Sequence, residues 1–87
     1  MYRIIRNNPN AIILDVRSRQ EYREGHIQGA INIPTYEIEK KIDKISKDKS
    51  ATVICYCSAG IRSKKTVKIL KMLGYTEAYS VAGGIII

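Results

Sequence analysis

The sequence predicts an α/β fold, an open and mainly parallel sheet flanked by helices, on three observations. Short runs rich in Ile and Val alternate with stretches whose apolar residues recur at helical spacing. The two best runs, 11–16 and 52–56, are rich in β-branched and aliphatic residues with little polar interruption, as in strands buried on both faces. A chain of 87 residues supplies one hydrophobic core, so one domain over residues 1–87 is expected to carry the whole function.

The elements follow in order. Ala11-Ile12-Ile13-Leu14-Asp15-Val16, after the turn-prone Asn7-Asn8-Pro9-Asn10, reads as the first strand. Ser18 is placed to cap a short helical turn through Glu21-Tyr22-Arg23 that Gly25 ends. Ile31-Asn32-Ile33 before Pro34 is a brief second strand, and Thr35 is expected to cap the next helix. In that helix Ile38, Ile42 and Ile45 share one face while Lys40, Lys41, Lys44 and Lys47 take others, so it should lie amphipathically on the sheet. After a polar loop over 46–50, Thr52-Val53-Ile54-Cys55-Tyr56 has the β-branched content of a central strand. Cys57-Ser58-Ala59-Gly60-Ile61 leads into a helix with Val67, Leu70 and Leu73 on one stripe and Gly74 as terminator. Glu77-Ala78-Tyr79-Ser80-Val81 is a last strand, followed by Gly83-Gly84 and an apolar tail.

Composition narrows the function. The aromatic set is six Tyr with no Trp or Phe, which leaves Ile, Val and Leu to fill the core. Cys55 and Cys57 are the only cysteines and His26 the only histidine, too few for a disulfide framework or a structural zinc site, so no metal or cofactor is expected. No stretch has the roughly 20 apolar residues that span a bilayer, and the start lacks a signal-peptide pattern, so a cytoplasmic protein without membrane contact is expected. The net charge of +7 is concentrated in residues 40–71, where ten Lys and Arg face two Asp. Such a field draws anions, and the same lysines also serve as a solvated, solubilising face.

In an open parallel sheet, ligands gather beyond the carboxyl ends of strands, which is where Cys57 falls. Gly60 lets the loop turn tightly with its N–H groups inward, the following helix adds the positive end of its dipole, and Arg62 offers a bidentate fork to the same pocket. These features stabilise a thiolate, so Cys57 can act as a nucleophile without a partner base. Cys55, two residues earlier on the same strand, is expected to share the core-facing side as a small hydrophobe.

At these residues the sequence resembles the rhodanese superfamily. Leu14-Asp15-Val16-Arg17, Glu21-Tyr22-x-x-Gly25-His26-Ile27-x-Gly29-Ala30-x-Asn32-Ile33-Pro34, Tyr56-Cys57-x-x-Gly60-x-Arg62-Ser63, Leu73-Gly74-Tyr75 and Gly83-Gly84 match its motifs in order. The resemblance implies a sulfur relay, in which Cys57 takes a sulfane sulfur from thiosulfate, polysulfide or a protein persulfide and passes it to cyanide or a thiol. It implies a substrate loop of Ser58, Ala59, Gly60, Ile61 and Arg62, with Asp15, Arg17, Glu21, His26 and Ser63 bracing it. For His26 the functional alternative is a general acid or base, which sulfur transfer does not require. The sheet is expected to be shortened at both ends relative to the family. Ser58, where the family often has a basic residue, and the apolar Ile61 point away from thiosulfate toward a less charged or protein-bound donor.

Two rivals stand beside the relay. One is a catalytically silent binding module with the same fold, against which the intact Cys57 argues. The other is phosphatase or arsenate reductase chemistry, whose loop has five residues between Cys and Arg where four separate Cys57 from Arg62. Expected partners are a small anionic sulfur donor, a thiol or cyanide acceptor, and an acidic relay protein docked on Lys64, Lys65, Lys68 and Lys71. Nucleic acid is disfavoured because no binding motif accompanies the lysines, and the expected state is a monomer or weak dimer.

Overall fold

The computed structural model describes residues 10–81. In it β1 (Ile12–Asp15), α1 (Arg19–Glu24), β2 (Ile31–Asn32), a 3₁₀ turn (Thr35–Glu37), α2 (Ile38–Ile45), β3 (Val53–Tyr56), α3 (Ile61–Met72) and β4 (Ala78–Ser80) follow in order. The expected strands are all present and each is one or two residues shorter than its apolar run. The Asn7-Asn8-Pro9 part of the first turn, Gly83-Gly84 and the tail 85–87 lie outside the described residues.

The strands form one sheet of order β2-β1-β3-β4 with every pair parallel. Leu14 is paired with both Ile31 and Cys55, and Cys55 in turn with Ser80. Right-handed crossovers decide which face each helix covers. The step from β1 to β2 runs one way and those from β2 to β3 and from β3 to β4 run the other, so α1 covers one face and α2 and α3 the opposite one. The core divides accordingly. Leu14, Val53 and Cys55 pack with Ile38 and Ile42 of α2 and Leu70 of α3, whereas Ile13, Ile54 and Tyr56 pack with Ile27, Ala30 and the partly buried Tyr22 of α1. Every residue of β3 is buried, which explains its uninterrupted apolar character. Each aliphatic side chain so buried contributes about 1.5–3 kcal/mol.

α1 begins with a complete capping box: Ser18 Oγ accepts from Glu21 N–H and Glu21 Oε1 accepts from Ser18 N–H. Thr35 does not cap the following helix. The turn starts at Pro34 with no side-chain cap, and Thr35 Oγ1 instead donates to Arg62 O, at 3.0 Å, and meets Thr66 Oγ1 at 2.6 Å. The buried line of α3 also differs from the apolar stripe. Ser63, Thr66 and Leu70 are fully buried while Val67 and Leu73 are only partly so. The hydroxyls are tolerated because each is hydrogen-bonded.

Candidate functional site

The strand order reverses between β1 and β3, since β2 leaves on one side of β1 and β3 on the other. That switch point opens a crevice at the carboxyl ends of these two strands. Asp15, Val16 and Arg17 leave β1 there, and Cys57 follows β3.

Cys57 Sγ lies inside its own loop. Gly60 N–H donates to it at 3.0 Å and Ser63 N–H at 3.3 Å, and Ser63 Oγ stands 3.6 Å away. The turn depends on Gly60, whose φ of +87° is in the left-handed region and whose position caps α3. Burial disfavours the thiolate, but hydrogen bonds from Ser63 Oγ and from the N–H groups of Ser63, Gly60 and Ala59 outweigh it and hold Cys57 below the usual thiol range. Neutral donors therefore stabilise the anion. Cys55 lacks them, and burial pushes its thiol up to about 12.

Ser63 is a junction. Its hydroxyl donates to Gly60 O at 3.1 Å and meets Ser80 Oγ of β4 at 2.6 Å. It has a single hydrogen, so when Cys57 ionises that hydrogen can turn to sulfur while Ser80 donates to Ser63. Ser80 was invisible as a site residue because a serine in a strand carries no periodic signal.

The rim is built differently from the sequence expectation. The Arg62 guanidinium is paired with a carboxylate: Nη1 and Nη2 reach Glu21 Oε1 at 2.7 Å and Oε2 at 3.1 Å. Ser58 Oγ donates to the same carboxylate at 3.2 Å. Bonding first to Arg62 and then to Ser18 holds Glu21 well below the carboxylate range, at about 2. Ile61 is 76% exposed at this mouth, and beside it lies a largely apolar cavity of about 380 Å³ bounded by Pro34, Thr35, Tyr36, Ile61, Arg62 and Lys65, among others.

Asp15 and Arg17 form a separate brace. Asp15 is fully buried and accepts from Arg17 Nε at 3.0 and 3.1 Å, from Arg17 Nη2 at 2.7 Å and from Tyr56 O–H at 2.9 Å. Arg17 Nη2 also donates to Gly25 O, and Tyr56 Oη accepts from Ile27 N–H, so β1, β3 and the 25–27 segment are tied at one point. Burial and the Asp15 contact raise the Tyr56 phenol to about 12. His26 is exposed, stacked on Tyr22 with ring centroids 3.6 Å apart and Nδ1 at 2.8 Å from Tyr22 O. It therefore serves that turn. Among the described residues no group of three or more His, Cys, Asp or Glu is placed to hold a metal ion, and no helix is long and apolar enough to cross a membrane.

A parallel sheet with a cysteine cradled by loop N–H groups at its switch point places the chain among α/β proteins whose strand-end loop can hold a thiolate. Comparison with known proteins specifies which. The chain belongs to the rhodanese family: the model of the rhodanese-like domain matches residues 2–85. It is 41% identical over 70 residues to the thiosulfate sulfurtransferase PspE of Escherichia coli, spanning 80% of this chain and 67% of that protein. It is also 34% identical over 83 residues to the tRNA uridine(34) hydroxylase of Buchnera aphidicola subsp. Baizongia pistaciae, matching 91% of this chain but only 27% of that longer protein. Among solved structures, a human single-domain sulfurtransferase superposes with TM-score 0.83 at 28% identity, covering 97% of this chain and 85% of the other. A rhodanese from E. coli solved with anions gives TM-score 0.80 at 40% identity, covering 84% and 86%. The fold and the membership of the rhodanese family follow.

Proposed function

We propose that residues 1–87 act as one sulfur-relay domain in which Cys57 is the persulfide carrier. The observation that carries this reading is the set of donors converging on Cys57 Sγ from Gly60 and Ser63. They hold an anion without a base, which a thiolate nucleophile needs. The thiolate attacks the sulfane sulfur of the donor, the donor's S–S bond breaks, and its electron pair leaves with sulfite when the donor is thiosulfate. Cys57 then bears S–S⁻. A thiolate or cyanide attacks the outer sulfur, the new S–S bond breaks, and the pair returns to Cys57 as thiolate. No proton or external electron is consumed in either half.

A protein-borne donor or acceptor would dock on Lys64, Lys65, Lys68 and Lys71. All four are exposed on α3 and none forms an ion pair among the described residues. Intact-protein mass spectrometry after incubation with polysulfide or thiosulfate tests the reading. The native chain should gain one sulfur, removable by cyanide, and Cys57→Ser should gain none. Folded native protein that takes no sulfur from either donor would reject it in favour of a silent binding module.

A further inference from the structure

Arg62 is the loop's own guanidinium and lies close enough to Cys57 for the two charges to interact. A free guanidinium there would receive a small dianion by its fork. One N–H of each terminal nitrogen goes instead to Glu21, whose charge offsets that of the guanidinium. Glu21 cannot readily swing away, since it occupies the third position of a capping box and is held by Ser18 N–H at 3.1 Å, Ser18 Oγ at 3.0 Å and Ser58 Oγ at 3.2 Å. With Cys57 ionised, Cys57, Arg62 and Glu21 sum to one negative charge, where Cys57 and Arg62 alone would cancel. A thiosulfate dianion approaches against that charge.

We infer that Glu21 is the specificity-determining residue of the site, cancelling Arg62 toward free anions and turning sulfur uptake from dianionic donors toward weakly charged ones. The inference rests on the sulfurtransferase reading and adds to it the charge class of the donor. Glu21 does this from a distance, as a positioning residue that both tethers the guanidinium and neutralises it. The neighbouring cavity, with Tyr36 and Ile61 exposed at its edge, suits a donor carrying an organic group.

The test compares two donors of the same reacting group and different charge, thiosulfate (2−) and methanethiosulfonate (1−), which release sulfite and methanesulfinate as the thiolate takes their outer sulfur. Removing one negative charge a few ångströms from the donor in a water-like dielectric favours a dianion on the order of tenfold, and a monoanion by the square root of that, about threefold. Glu21→Gln is therefore expected to lower KM for thiosulfate about tenfold and for methanethiosulfonate about threefold, with kcat changing little. Glu21→Asp, which keeps the charge, should retain the native donor ratio. If the amide variant does not fold, Glu21→Met, neutral and of similar length, takes its place. An unchanged ratio, or equal changes for both donors, would overturn the inference while sulfur uptake itself left the relay reading intact. Absence of uptake from either donor by the native chain would remove both.

Discussion

Replacing Ser63 by Ala isolates the hydroxyl that links the loop to β4. Its oxygen stands 3.6 Å from Cys57 Sγ, and when the sulfur is anionic the hydroxyl donates across that long contact, so it belongs at the lower end of the roughly 1.5–3 kcal/mol of a charged hydrogen bond. About 1.4 kcal/mol is about a tenfold change in the ionisation equilibrium, in favour of the thiol. Below both ionisation midpoints the thiolate fraction falls about tenfold, but a more basic sulfur is a better nucleophile. With a Brønsted slope of about 0.4–0.5, the net loss of rate is about threefold. Above both midpoints the variant should react about threefold faster than the native chain, so the two pH–rate curves cross.

Alkylation by iodoacetamide followed by mass spectrometry reads this curve for Cys57, because its thiol is held below the usual range whereas burial pushes that of Cys55 up to about 12. Stability responds in the matching direction. Since the fold lowers the Cys57 pKa, its contribution to stability is fully present above the free thiol's pKa and is lost as pH falls through the folded midpoint. Ser63→Ala should therefore cost more stability at alkaline than at acid pH, beyond the constant loss from leaving Ser80 unpartnered. Curves that superimpose, from folded protein, would refute the idea that neutral donors set the reactivity of this thiol.

Two further substitutions probe the frame. Tyr56→Phe deprives Asp15 of a donor and the buried Ile27 N–H of its acceptor, and should cost about 2–3 kcal/mol in urea unfolding; a loss under about 0.5 kcal/mol would show that water replaces the phenol. Gly60→Ala forces a side chain into φ of +87°, and should cost about 1–2 kcal/mol while slowing sulfur uptake as the N–H groups lose aim; unchanged stability and uptake would show that the loop tolerates another path.

Much of the scaffold was legible from residue order because apolar runs report burial directly. The uninterrupted Val53-Ile54-Cys55-Tyr56 could only be a strand covered on both faces, and Ile38 and Ile42 could only turn inward. Cys57 and Gly60 were legible for the same local reason, lying at a strand end and a helix start. Partnership was not. Arg62 reads as a cation for substrate until α1 brings Glu21, 41 positions earlier, against it. Thr35 reads as a cap until α3 presents Thr66. The pairing of Ser63 with Ser80, and of Thr66 with Thr35, was not legible, since the hydropathy of a hydroxyl says nothing of whether a second hydroxyl awaits it across the fold.

The placement of Cys55 within β3 and of Cys57 just past its end, both against the same core, has a chemical consequence under oxidative stress. Residues two apart along a strand are separated by about 6.6 Å with parallel Cβ vectors, whereas a disulfide needs Cβ atoms about 3.5–4.5 Å apart. Cys55, fully buried and with its thiol pushed up to about 12 by burial, is also a poor nucleophile toward a sulfenic acid formed on Cys57. Rescue from hyperoxidation must come from a thiol outside the chain, and the near-complete enclosure of Cys57, 1% exposed, limits that rescuer to one small or slender enough to enter the loop.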